Sequence, residues 1–325
     1  MFIIYINDLV VLQDEKTKVS IYADDNNFKL KLSGDQNQNK IRIEEKMKEI
    51  QDYMDSNRLK LNPDKTKLMI LTTKSKNMHK NMKINFGGSE IEQVEFTKFL
   101  GIIISANLKW NEYIVQNEQS MLKFLNKRLA ALKMLSREMP VCQRKILAHG
   151  LLISKISYCI SCYANCPGYL KKRLQDIVSQ AARVVQGDWS SKLKQVFVDL
   201  NWLSFEGWQN YLDVLTGKTM ADFQKPLDLA SKIYQNTRAT AGDQLWNEEN
   251  QRITRAMVAG KIMIGGHNMG TTTARHQSFT ARYVRQINLL PTETRCTNLS
   301  TAKFIDKEKF KCDTRSYFML HQKYL

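Results

Sequence analysis

The sequence predicts an α+β fold, and three observations predict it. Over roughly the first hundred residues, short β-prone runs alternate with turn residues around one amphipathic stretch. From about residue 111 the apolar period becomes helical and stays so until Gly187. Beyond residue 190 the pattern weakens, leaving a mostly helical tail with irregular stretches. The expected organisation is residues 1–105 as strands plus a helix, 106–190 as an all-helical region, and 191–325 as helical and irregular.

Residues 2–12 read as a buried helix or strand end. Next come Val19-Ser20-Ile21 and the run Phe28 to Leu32, flanking Tyr22-Ala23-Asp24-Asp25. The flanks favour extended backbone, so a hairpin is expected over 19–32 with the acids at its turn. Two adjacent acids there are costly to build for packing alone. Such a turn holds carboxylates rigidly enough to bind Mg²⁺, which takes a few oxygen ligands and keeps water and phosphate in its other positions.

Ile43, Met47, Ile50 and Met54 recur at three- to four-residue steps and predict an amphipathic helix over 36–58. Asn62-Pro63-Asp64 is a turn. Residues 66–72 are expected to form a strand, as are 82–86 and 90–94 on either side of Gly87-Gly88. Residues 96–105 read as one further strand.

Leu122, Leu125, Leu129, Leu132 and Leu135 mark one face of a long helix. Pro140 opens a second helix near 141–158, and a third runs from about 168 to 186 and stops at Gly187. Ser204 looks like the cap of another. Residues 264–275, rich in Gly, Asn and Thr, are expected to be loop. There is no internal repeat.

The chain has 325 residues, 43% hydrophobic and 25% charged, which is ample for a core and suggests two or three structural units. Its net charge of +17 makes a polyanion partner the natural expectation, through phosphate neutralisation and counterion release. Met1 to Ile6 is apolar but short, lacks a basic region and is interrupted by Asn7-Asp8, so it is a poor signal peptide. No stretch reaches the length of a membrane span, and no membrane partner is expected.

Of six cysteines, Cys159, Cys162 and Cys166 cluster as C-x-x-C-x-x-x-C. A zinc site would need a fourth ligand, for which His149 is the nearest candidate. No second C-x-x-C follows, and reduced helical thiols in an intracellular protein, nuclear or cytoplasmic, are the expectation.

The 121–137 helix carries Lys123, Lys127, Arg128, Lys133 and Arg137 with no acid among them. Most project to one side of the leucine stripe, a basic ridge suited to a duplex backbone unless it is simply an exposed helix face. Arg275, Arg282 and Arg285 with nearby aromatics form a weaker pattern compatible with single-strand contact. Trp202, Trp208 and Trp246 are expected in the core.

A family resemblance rests on these segments in order. Phe2 to Leu9 (F-I-I-Y-I-N-D-L) followed by Y-A-D-D at 22–25 resembles the catalytic centre of reverse transcriptases, in the style of non-LTR (LINE-type, jockey- or CR1-like) retrotransposons. L-K-L-N-P-D-K-T-K at 59–67 resembles the family's lysine-bearing motif after the palm helix. F-L-G-I-I-I-S from Phe99 to Ser105 resembles the primer-grip strands, and Tyr158, Lys171 and Lys172 fit the helical region that follows. Residues 277–291 resemble the family's C-terminal tail. Y-A-D-D alone is a weak signal, whereas the three motifs at these distances are specific.

The resemblance implies a partial polymerase palm, then a thumb-like helical region. It implies Asp24 as the firmer metal ligand and Asp25 as the second acid, with Mg²⁺ or Mn²⁺ as cofactor. Tyr22 and Ala23 would line the floor beneath the primer end, and Phe99, Leu100 and Gly101 would support the primer strand. Lys65 would act near the leaving pyrophosphate, with Lys67 as a rival and a plain turn lysine as the alternative. The implied partners are an RNA template and an RNA–DNA or DNA duplex.

The family also needs a metal-binding Asp on an earlier palm strand. The only acids before Tyr22 are Asp8, Asp14 and Glu15, none at the family's distance. The fingers are absent too. The expectation is therefore the C-terminal part of such an enzyme, cut inside the palm and inactive alone. The alternatives are a non-enzymatic nucleic-acid-binding remnant, or a subunit completed in trans by an N-terminal reverse-transcriptase fragment.

Overall fold

Val19, Ile21 and Phe28 alternate along two short runs, and the chain folds these into an antiparallel hairpin of β1 (Thr17–Tyr22) and β2 (Asp25–Leu30). This computed structural model describes residues 6–33, 35–71, 82–86, 89–223, 233–235, 262–264, 282–283, 286–287, 289–290, 294 and 304–320. They belong to two compact units, Met1–Gln116 and Asn117–Leu325. Helices and two-stranded antiparallel sheets make up both, as an α+β chain requires.

In the first unit one helix organises the strands. Helix α1 (Gln36–Ser56) is capped by Asp35, whose carboxylate accepts from the backbone N–H groups of Asn37 and Gln38. That satisfies two donors the first turn leaves free. Its apolar stripe serves two clusters. Ile50 and Met54 pack with Ile6 and Leu9, with Val19, Ile21 and Phe28 at the edge. Ile43 packs with Ile70, Met82 and Ile84, bringing in the hairpin of β3 (Lys83–Phe86) and β4 (Ser89–Glu92). The helix and both hairpins follow the sequence reading.

Two strand expectations need correction. Residues 66–71 form no strand: Leu68 makes a single parallel bridge to Gln93, and Val94 N–H donates to the Leu68 carbonyl at 2.8 Å. β4 ends at Glu92 and is paired along β3, so one residue finds a partner and no ladder grows. Residues 96–105 are two strands, β5 (Phe96–Phe99) and β6 (Ile102–Ser105), paired antiparallel. Leu100 at φ 45° and Gly101 at φ 82° turn the chain between them, as a two-residue hairpin loop with both central residues left-handed.

Among the described residues the second unit is a helical assembly with one small antiparallel strand pair. Helix α2 (Met121–Leu135) buries Leu122, Leu125, Leu129 and Leu132. Leu135, expected on the same stripe, is 52% exposed, because three residues on from Leu132 it projects about 60° further round the helix, off the buried face. The expected second helix is present as α3 (Val141–Ala148), a wider π turn (His149–Ile153) and α4 (Ser154–Ser157), with Pro140 at its start. A short α5 (Ile160–Tyr163) follows. Helix α6 (Gly168–Gln186) ends at Gly187, whose φ of 77° supplies the left-handed stop that glycine makes cheap.

After α7 (Leu193–Asp199), helix α8 (Phe205–Phe223) begins with Ser204 Oγ accepting from Gly207 N–H at 3.0 Å, the cap the sequence predicts. Strands β7 (Ile233–Gln235) and β8 (Ile262–Ile264) pair antiparallel. The last helix, α9 (Phe304–Leu320), packs on α8 around Leu203, Val214, Tyr283, Ile287, Leu290, Phe310 and Phe318. Residues 265–275 of the expected loop lie outside the described residues. No helix among the described residues is long and apolar enough to cross a membrane.

Candidate nucleic-acid interface

The acid pair sits at the tip of the first hairpin. Tyr22 and Asp25 are the last cross-strand pair, so Ala23 and Asp24 are the two turn residues. Ala23 adopts φ 54°, a left-handed conformation that an L side chain disfavours. The hairpin's inner face is Val19, Ile21 and Phe28, packed toward α1, while Tyr22, Ala23, Asp24 and Asp25 all face solvent. The packing of the strands thus puts both carboxylates at an exposed tip.

Of the earlier acids, Asp14 is already engaged. Asp14 accepts from Lys16 N–H at 2.7 Å and pairs with Lys46 at 3.1 Å. The Lys16 backbone donor above all holds its carboxyl well below the usual carboxylate range. Lys46 also pairs with Glu49 at 2.6 Å and donates to the Leu12 carbonyl, so Asp14 is part of a clasp joining the first turn to α1. Among the described residues no three acids, histidines or cysteines come together as a metal-ligand group. Two adjacent carboxylates such as Asp24 and Asp25 leave most of a divalent ion's positions to water or phosphate.

Lys65 ends a 3₁₀ turn, Pro63–Lys65, capped by the Asn62 side chain; it and Lys67 are exposed. Phe99 and Leu100 are half-buried and Gly101 is exposed at the β5–β6 turn.

In the second unit, Lys123, Lys127, Arg128, Lys133 and Arg137 are all exposed. They are spread more widely than a single ridge. Arg128 and Lys133 are five residues apart, about 140° around a helix, and flank the buried stripe on opposite sides. The Arg128 guanidinium lies 4.7 Å from the Phe124 ring centre, while the Lys133 ammonium lies 5.9 Å from the Trp189 ring. Lys123 and Lys127 occupy the crest between.

Two further expectations are settled by contacts. Arg282 is buried against Asp213 at 2.7 Å and is no surface contact for a nucleic acid. Arg275, Arg285 and Trp246 lie outside the described residues. Trp202 is buried, as expected, and Trp208 is half-buried against the core. His149 lies against both, tilted to Trp202 with ring centres 5.0 Å apart and edge-on to Trp208 at 5.8 Å. Cys166 is buried and free, and burial pushes its thiol up to about 11.

Sequence reasoning passed over Phe124 and Lys155. Phe124 is four residues before Arg128, and that spacing on a helix was the available signal.

Compared with protein-family models, curated proteins and solved structures, the chain finds no match.

Proposed function

We propose that this chain is part of an RNA-directed DNA polymerase of the non-LTR retrotransposon kind, and that by itself it binds template–primer nucleic acid without extending it. The observation that carries the reading is the Y-A-D-D hairpin: Asp24 in a two-residue turn, Asp25 beside it, both presented to solvent by a packed strand pair. The ordered motifs at 59–67 and 99–105 support it, as does an exposed basic helix free of acid.

The binding half follows from charge. A net charge of +17 with five exposed cations on and just after α2 favours a phosphate backbone through counterion release. The carboxylates support the inactivity half. Asp14 is committed to Lys46, and no further acid joins Asp24 and Asp25 among the described residues. No step of nucleotidyl transfer is assigned to this chain alone.

Primer extension on an RNA template tests both halves, with the chain alone and with a fingers-and-upper-palm fragment from a related element. Extension only with the fragment, abolished by Asp24→Asn, is the expected result. Extension by the chain alone would overturn the inactivity claim. No extension with either, together with duplex binding indifferent to Asp24→Asn, would favour a non-enzymatic nucleic-acid-binding protein.

A further inference from the structure

We infer that Phe124, Arg128, Lys155 and Tyr158 form a stacking site for the bases of single-stranded nucleic acid. The inference rests on the reading that this chain binds nucleic acid, and adds where a single strand is held and by what.

The geometry joins two helical segments. Phe124 lies on α2 and Tyr158 at the end of α4, yet one ammonium serves both: Lys155 Nζ is 5.9 Å from each ring centre. Arg128 covers the same Phe124 ring at 4.7 Å. Both rings remain open to solvent, Phe124 at 37% and Tyr158 at 44%. Exposed large aromatics cost hydrophobic free energy, and the cations near their rings recover part of it.

The backbone is bent to make this patch. The helix that buries Leu152, Ile153 and Ile156 first widens into the π turn at His149–Ile153. It then breaks, with Tyr158 extended at ψ 117° and Cys159 left-handed at φ 52°. A left-handed cysteine is strained, and such strain persists where the surroundings impose it, often at binding sites. Its consequence here is that Tyr158 faces out beside Lys155, while Ile156 and Ile160 stay buried.

The charge around the patch selects the ligand. From residue 119 to residue 175 the chain has eleven lysines and arginines and a single acid, Glu138. Lys123 and Lys127 stand exposed on the crest of α2, within one turn of Phe124. Aromatic faces interleaved with cations suit a strand whose phosphates meet the lysines while its bases lie on the rings. In a duplex those base faces are already stacked, so an unpaired strand is the form that fits.

Fluorescence anisotropy with labelled dT and rU 15-mers tests this, with a 15-base-pair duplex measured in parallel and the salt dependence recorded. The double variant Phe124→Ala/Tyr158→Ala is expected to weaken single-strand binding roughly ten- to a hundredfold. Duplex affinity and salt slope should stay as they were. Phe124→Leu/Tyr158→Leu keeps apolar bulk without the rings and should lose as much, which separates stacking from a folding defect. Lys127→Gln should weaken both ligands and lower the salt slope by about one.

Wild-type single-strand affinity in both aromatic variants, with Lys127→Gln still weakened, would overturn the stacking site and leave the nucleic-acid reading standing. An equal loss for single strand and duplex would also overturn it. No binding of any nucleic acid by the wild-type chain would remove the underlying reading instead. Binding of dT but not rU, or the reverse, would support the site and assign the strand.

Discussion

Arg282 clasps Asp213: its Nε donates to Oδ2 at 2.7 Å, and its terminal nitrogen reaches Oδ1 at 3.4 Å and the Ser161 carbonyl at 2.8 Å. Both side chains are almost wholly buried. The guanidinium ties residue 282 to α8 and to α5 at once, so part of the C-terminal region is built into the second unit's core. Removing one partner strands the other charge. Arg282→Ala is expected to lower stability by about 3–5 kcal/mol, read as a fall in urea midpoint. Arg282→Lys should recover only part, since one ammonium cannot match the planar fork. A midpoint unmoved by Arg282→Ala would show that the clasp holds nothing.

The neighbouring residue explains a glycine. Gly217 lies inside α8, where glycine ordinarily costs helix stability. A Cβ built on it would overlap the Tyr283 ring, which is fully buried. Gly217→Ala therefore gains about 1 kcal/mol of helix propensity and loses about 1–3 kcal/mol to overpacking, a net loss of up to about 2 kcal/mol. The expected result is a lower melting midpoint for Gly217→Ala, restored in part by pairing it with Tyr283→Leu. A higher midpoint for the single variant would show that the ring can move aside freely.

These two contacts mark where the sequence stops being legible. Local signals read well: Asp35 and Ser204 cap helices, Gly187 ends one, and Val19, Ile21 and Phe28 alternate because one face is buried. The turn at Leu100–Gly101 was hidden because leucine belongs in a strand and gives no sign of a left-handed φ. Leu68 reads as strand and finds one bridge, because a ladder depends on an edge elsewhere in the chain. The Arg282 clasp joins residues 69 apart, and only the fold could show that this arginine is spent on Asp213 rather than on a phosphate. At the candidate site the acids and the basic helix were legible as residue types. The pairing of Phe124 with Tyr158 through Lys155 was not.

His149 gives the second unit a pH dependence. Burial first, then the nearby charges of Arg315 and Lys145, bring its ring down to about 4 from an ordinary 6.5. The folded state therefore keeps the ring neutral where the unfolded chain would protonate it. As pH falls from about 7 toward 4 the unfolded state binds the extra proton and stability declines, then levels below the folded value. For a partly solvated ring this is on the order of 2 kcal/mol. His149→Phe, keeping an aromatic against Trp202 and Trp208, is expected to flatten the unfolding free energy over that range. A variant with the wild-type slope would place the dependence on other groups.

Cys166 should be slow where other thiols are fast. Its sulfur is buried and its thiol is pushed up to about 11, so little thiolate is present near neutrality. Cys142 and Cys312 are exposed; Cys162 is exposed too, with its thiol pushed up by partial burial of the sulfur. Mass-resolved alkylation at pH 7.5 is expected to label Cys142 and Cys312 before Cys162, and Cys166 only on unfolding. Early labelling of Cys166 would mean that its surroundings open locally.

Ala23 tests whether the hairpin tip is kept for folding or for function. At φ 54° an alanine carries about 1–2 kcal/mol of strain that glycine avoids, against about 0.4–1 kcal/mol for glycine's greater freedom when unfolded. Ala23 is exposed, so no packing is lost on removing its methyl. Ala23→Gly is thus expected to stabilise the first unit by about 0.5–1 kcal/mol. A chain selected for stability alone would carry the glycine. If the methyl instead lines the floor beneath a primer end, as the family resemblance implies, the same substitution should lower primer extension in the complemented reaction. Higher stability with lower extension is the expected pair of results; higher stability with unchanged extension would reduce Ala23 to a tolerated turn residue.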